Sequence, residues 1–132
     1  MIAESTLNGF LYSTDKTKVD ISYVHSFLTN SYWAKEIPEG VVKQSIENSL
    51  CIGIYRDDEQ VGFARLITDF ATFAYLADVF VDEKYRGRGV SKALVQFILS
   101  FQFVGGLRRL LLATRDAHGL YTQFGFQQLQ RP

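Results

Sequence analysis

A mixed α/β domain is what this sequence predicts, with elements in the order β-α-α-β-β-β-α-β-α-β around a mixed central sheet and helices on both faces. Three observations carry that expectation. Residues 50–69, LCIGIYRDDEQVGFARLITD, read as two apolar strands around a polar turn, the pattern of an antiparallel hairpin. Residues 70–81, FATFAYLADVFV, form a third extended run rich in aromatic and β-branched side chains, and it feeds through DEKYRGRG into a segment striped at helical spacing. A further apolar run, RRLLLAT, comes after that helix, and a strand–helix–strand unit implies a parallel neighbour in the sheet.

From the N-terminus, GFLYST is a short first strand. In VDISYVHSFLTN, Ile21, Val24, Phe27 and Leu28 recur at helical spacing, with His25 on the polar side. SYWAKEIP is a loop closed by Pro38, which suits the first turn of a short helix with Val42 and Ile46 facing inward. The hairpin and the third strand come next. From Val90 onward, Ala93, Leu94, Phe97, Ile98 and Phe101 make the stripe of a helix buried on more than one side, expected to end at the Gly105–Gly106 pair. After RRLLLAT, a last helix is expected between Asp116, a good N-cap, and Gly125, a good terminating glycine. FQQL is the last strand, and any strand beyond it is short or absent.

Composition narrows the class. The 132 residues fit one domain, residues 1–132, and a 47% hydrophobic content supports a real core rather than disorder. Fourteen basic residues balance fourteen acidic ones, which disfavours a nucleic-acid partner. The single cysteine, Cys51, cannot form an intrachain disulfide and sits in an apolar run as a buried thiol. The N-terminal residues lack a signal-peptide pattern and no apolar run is long enough for a membrane span, so a cytoplasmic protein is the default expectation. Two histidines and one cysteine, far apart, give no metal-ligand spacing.

The glycine loop is the first candidate for chemistry. The opening N–H groups of a helix lack intrahelical partners, and the helix dipole adds partial positive charge. A phosphate satisfies both. Gly87 and Gly89 let the chain turn and let a ligand approach closely, Val90 and Ser91 supply N–H groups, and Arg86, Arg88 and Lys92 add charge. An ordinary turn with solvated arginines is the competing reading. Neither a P-loop nor a dinucleotide fingerprint is present.

VFVDEKYRGRGVSKALV resembles the acyl-CoA binding motif of the GNAT superfamily of N-acyltransferases, whose loop reads Gln/Arg-x-x-Gly-x-Gly/Ala between a strand and a long helix. Here the positions are Lys84, Tyr85, Arg86, Gly87, Arg88 and Gly89, with lysine at the first. AHGLYTQFGF resembles the family's A-x-x-L-Y-x-x-x-G-F segment through Ala117, Leu120, Tyr121, Gly125 and Phe126, with Thr114 where the family often has Asn. The element order agrees as well, so a GNAT-like fold is expected.

That resemblance implies acetyl-CoA (coenzyme A) as cosubstrate, its pyrophosphate held by N–H groups of Arg86 through Ser91. It implies that Val79, Phe80 and Val81 bind the pantetheine arm and polarise the thioester carbonyl. Tyr121 is then the candidate general acid for the thiolate, since a phenol of pKa ~10 is protonated at neutral pH. The base stays open between Asp78, Asp69, Glu36 and water. Asp78 is preferred because a carboxylate flanked by apolar strand residues is costly unless paired. Tyr32 and Trp33 fall where the family shapes its acceptor pocket, and Glu36 and Asp69 join them as candidate substrate-binding residues. The expected function is N-acetyl transfer to a primary amine of a small molecule, with a protein or peptide acceptor, a non-catalytic acyl-CoA module and a sheet-edge interaction protein as alternatives. An exposed sheet edge after the last strand would be open to a second copy.

Overall fold

The computed structural model describes residues 2–113 and 117–127, with the backbone alone at His118. Six strands form one sheet in sequence order: β1 (Glu4–Leu7), β2 (Phe10–Ser13), β3 (Leu50–Arg56), β4 (Glu59–Thr68), β5 (Phe73–Val81) and β6 (Arg109–Leu112). The first five pair antiparallel and β6 pairs parallel to β5. The helices are α1 (Ile21–Thr29), α2 (Glu39–Glu47), α3 (Val90–Leu99) and α4 (His118–Thr122).

Strand alternation sorts the core into two layers. Cys51, Phe63 and Phe80 face α1 and α2, where Val24, Leu28, Val42 and Ile46 close over them. Ile52, Ile54, Ala64 and Leu66 face the opposite side, where α3 lays Leu94, Val95 and Ile98. Helices therefore cover both faces, as expected. Each fully buried Leu or Ile in these layers contributes about 2 kcal/mol. Asp20 caps α1 by accepting a hydrogen bond from the Tyr23 N–H at 3.0 Å.

The first strand is a correction. Residues 4–13 make a complete hairpin, turned by Asn8 and Gly9, both at positive φ (52° and 83°). That is the two-residue turn that matches strand twist. A second correction concerns α3, which ends at Leu99. Gly105 and Gly106 instead close a separate 3₁₀ turn, Gln102–Gly106, because Phe101 already takes extended backbone. His25, expected in solvent, is half-buried with Nε2 3.0 Å from the Ile37 carbonyl, tying α1 to the segment before α2. Phe126 and Gln127 are not in a strand. The rest of FQQL, the sheet edge beyond it, and the positions Thr114 and Asp116 lie outside the described residues. Among the described residues, no helix is long and apolar enough to cross a membrane.

Two local features shape the far end of β5 and the start of α3. Between β4 and β5 the register slips: Phe63 pairs with Phe80 but Arg65 pairs with Ala77. Asp78 and Val79 therefore stand together opposite Ala64, a β-bulge, and Asp78 takes left-handed backbone (φ 55°). On the other face, the buried Tyr12 hydroxyl donates to the Val90 carbonyl at 3.1 Å, fixing the start of α3 against β2. Burial pushes that phenol up to about 12.

Candidate active site

The parallel pairing of β5 with β6 runs only from Phe73–Arg109 to Leu76–Leu112. Beyond it, Ala77 through Val81 have no strand on that side among the described residues. A cleft of about 1430 Å³ opens there, walled by residues 76–81 of β5, by Leu112 and Ala113, and by α1 with the loop after it.

The glycine loop enters at one end. Asp82 accepts from the Lys84 N–H, Tyr85 and Arg86 donate their N–H groups back to Asp82 and Glu83, and Arg86 Nε donates to the Val81 carbonyl at 3.2 Å. The loop is thus tied down before it turns through Gly87 (φ 78°) and Gly89 (φ 77°). A Cβ at either glycine would meet nothing within 4 Å among the described residues, so the requirement is backbone conformation and open approach. Six consecutive N–H groups, Gly87 through Lys92, donate to no acceptor among the described residues. The first backbone bond of α3 is Ala93 N–H to the Gly89 carbonyl. This is an anion cradle made of main chain. Arg88 and Lys84 lie over the Tyr85 ring, 5.4 and 5.6 Å from its centroid.

Tyr121 lines the same cleft from α4. Its placement depends on the residues after it. Gly125 (φ 88°) donates to the Thr122 carbonyl and Phe126 donates to the Tyr121 carbonyl, which together end the helix in a Schellman motif. The Phe126 ring then meets the Tyr121 ring edge-on at 5.7 Å. Burial raises the Tyr121 phenol above its ordinary value.

Asp78 lines the cleft from the bulge. Arg65 Nε donates to its Oδ2 at 2.9 Å and Trp33 Nε1 donates to its Oδ1 at 3.1 Å. Arg65 also donates from Nη1 to Ser49 Oγ at 3.0 Å. The ion pair is largely shielded from solvent.

Of the residues singled out from sequence, Asp78, Val79, Phe80, Val81, Arg86, Ser91, Tyr121, Tyr32 and Trp33 all border this one cleft. Gly87, Arg88, Gly89, Val90 and Lys92 form the cradle between Arg86 and Ser91, with the Val90 side chain turned into the core and Lys92 exposed. Phe80 also packs its ring against Phe27. Glu36 and Asp69 are not brought in. Glu36 is exposed in the loop, with left-handed backbone and its N–H on the Thr29 carbonyl. Asp69 spends its carboxylate on the β4–β5 turn, accepting from the N–H groups of Ala71, Thr72 and Phe73 and from the Thr72 hydroxyl. Those bonds hold it well below the usual carboxylate range. Arg65 is the residue sequence reasoning missed. A lone arginine in the apolar run of β4, facing a strand with a lone aspartate, was the available signal. Among the described residues no group of side chains is arranged to hold a metal ion.

Comparison with known proteins places this geometry. The profile of the acetyltransferase (GNAT) family matches residues 19–126. The chain is 31% identical over 107 residues to the peptidyl-lysine N-acetyltransferase YjaB of Salmonella typhimurium, covering 81% of this chain and 69% of that one. It is 28% identical to the protein FG08082 of Gibberella zeae over 137 residues, 88% of this chain and 77% of that one. Among solved structures, the GNAT-family protein xcc2953 of Xanthomonas campestris pv. campestris superposes with a TM-score of 0.90 at 47% identity, covering 94% of this chain and 88% of that one.

Proposed function

The chain belongs to the GNAT acetyltransferase family and is an acyltransferase, and from that premise we propose that it moves an acetyl group from acetyl-CoA to a primary amine of a small molecule, by direct attack in a ternary complex. The observation that carries the reading is the run of six N–H groups from Gly87 to Lys92 at the mouth of a cleft that also holds Tyr121.

The residues fit acetyl-CoA. The cradle offers main-chain donors and a helix N-terminus to a pyrophosphate, with no side chain in the way at Gly87 or Gly89. Among the described residues no strand lies beside β5 at Val79 through Val81, and this edge offers backbone groups to an extended amide-bearing arm, the Val81 carbonyl also accepting from Arg86. Acetyl-CoA supplies the acetyl group as a thioester, so that transfer forms one C–N bond, breaks the C–S bond and leaves a thiol.

The chain's own groups handle position and protons. The Tyr121 phenol, raised by burial, stays protonated at neutral pH and donates to the leaving sulfur. Asp78 draws the amine into the cleft and accepts its proton, each carboxylate oxygen keeping an acceptor site beside the hydrogen bond it already accepts. The Phe126 ring packs on Tyr121, and the Trp33 indole holds one oxygen of Asp78.

A second reading, transfer to a lysine side chain of a protein, is favoured by the name of the Salmonella relative. A non-catalytic acyl-CoA-binding module would keep the cradle and lose turnover. The experiment is a thiol-release assay with acetyl-CoA against small amines and lysine peptides, preceded by a melting measurement. Saturating acetyl-CoA is expected to raise Tm by mass action, with about 2.7 kcal/mol of added stability at a hundredfold excess over Kd. No shift would sink the reading. A shift without thiol release from any acceptor would leave the binding module.

A further inference from the structure

We infer that the amine acceptor is a single cation on a flat apolar body, an arylalkylamine, seated between a wall made by Tyr32 and Trp33 and a floor made by Ile67 and Tyr75, with its nitrogen at Asp78. This rests on the acetyl-transfer reading and names the substrate class which that reading leaves open.

The register builds the pocket. Phe63, Arg65 and Ile67 alternate onto one face of β4, and Phe80, Ala77 and Tyr75 are their partners on β5. The first pair is roofed: Phe27 of α1 stacks on Phe80 at 3.9 Å, and Val24 and Leu28 pack in the same cluster as Phe63. The second is closed by the Arg65–Asp78 ion pair. The third stays open, with Ile67 at 41% exposure. Trp33 and Tyr32, 42% and 55% exposed, line the same cleft. Single exposed apolar residues are ordinary on a surface, but several lining one concavity mark a ligand site.

The wall is already ordered. Trp33 stands edge-on to Tyr32 at 5.1 Å and lies 6.3 Å from Phe27, and its indole N–H is fixed by Asp78. Less ordering is then left to oppose binding. Charge sets the rest of the choice. Asp78 is the one carboxylate bordering the cleft among the described residues, and Arg65 already partners it. An ammonium finds aromatic faces beside the remaining acceptor sites of a carboxylate that Arg65 and Trp33 already share, with Arg65 and Arg86 as the cations that border the cleft. A second cation on the same molecule meets no further carboxylate there. Between the Tyr32–Trp33 wall and the Ile67–Tyr75 floor, the hydroxyls of an amino sugar would lie against rings and Ile67, with the polar side chains of Ser26, Asn30 and Ser31 bordering the cleft from α1 and the residues after it.

Trp33 is the sole tryptophan, so its fluorescence reports this pocket without acetyl-CoA present. Phenethylamine is expected to quench it saturably and at least about ten-fold more tightly than cadaverine, glucosamine or a lysine peptide. Tyr32→Ala keeps the reporter and is expected to weaken phenethylamine by about ten-fold, with the melting temperature lowered only modestly by the lost contact with Trp33. In thiol release the same order should appear in kcat/KM. Equal or tighter binding of the other amines, or wild-type affinity in Tyr32→Ala, would overturn the inference. Quenching by phenethylamine with no thiol release from it would remove acetyl transfer and leave the pocket standing. Thiol release without preference for phenethylamine would remove the pocket and leave acetyl transfer.

Discussion

Arg65 on β4 and Asp78 on β5 form an ion pair at 2.9 Å across a β-bulge, and the aspartate is the one residue of its strand in left-handed backbone. The pair decides how the bulge can be altered. Arg65→Met leaves a shielded carboxylate without its cation and is expected to cost roughly 3 kcal/mol in denaturant unfolding. Asp78→Asn removes the charge and offers one acceptor oxygen to two donors, Trp33 and Arg65, so it too should unfold more easily than wild type, and it should lose kcat/KM for amines.

Tyr121→Phe keeps the ring that meets Phe126 and removes the proton. Turnover is expected to fall on the order of 100-fold or more, with melting temperature and acetyl-CoA affinity held. Steady-state kinetics alongside a thermal melt would check it, and unchanged kcat would remove Tyr121 as the acid.

Gly125 acts on Tyr121 through the helix end. A Cβ there meets nothing within 4 Å among the described residues, so Gly125→Ala is penalised for its backbone angle, by about 1 kcal/mol. Gly125→Asn should recover part of that loss, because asparagine tolerates left-handed backbone. The two variants, compared by thermal melts and kcat, should fall in that order in both measurements.

At the cradle, Gly89→Ala and Gly89→Glu separate strain from charge. Both force a side chain onto φ 77°, and both should lose about 1 kcal/mol of stability. Only the glutamate puts a negative charge beside the free N–H groups. Acetyl-CoA should therefore still raise the Tm of the alanine variant and fail to raise that of the glutamate variant.

Asp69 gives a pH signature. Four hydrogen bonds to its carboxylate depress its folded pKa. The stability they confer is fully present above the unfolded value of ~3.9 and is lost as pH falls toward the depressed folded value. Wild type should thus exceed Asp69→Asn in stability at neutral pH, and the difference should shrink on acidification below about pH 4. A gap that holds steady down to the lowest accessible pH would contradict this.

Much of the fold was readable in the chain because the patterns were local. Strand and helix periods placed β3 to β6 and α1 to α3, and the cradle needed only glycines between a strand and a helix. β1 was missed because ESTL is exposed throughout and has no apolar alternation, although Asn8-Gly9 signals a hairpin by itself. The end of α3 was misplaced because Phe101 continues the apolar stripe after the backbone has left the helix. That Asp69 stands outside the cleft was not legible, because a carboxylate capping its own turn looks, in sequence, like one free for substrate. Arg65 could be understood only with β5 beside it.

The order of the strands also governs how the molecule opens. Five strands form consecutive antiparallel ladders, whereas β6 is held on β5 by four register pairs, the parallel ones. Among the described residues β6 pairs with β5 alone, so it can detach without disturbing the antiparallel ladders, and the cleft wall at Leu112 would go with it. Amide protons along Arg109–Leu112 should therefore exchange by local opening, well ahead of those in β3 and β4, and a ligand spanning the split should slow them most. The place where the sheet parts beside the cleft is also a seam along which it can come undone.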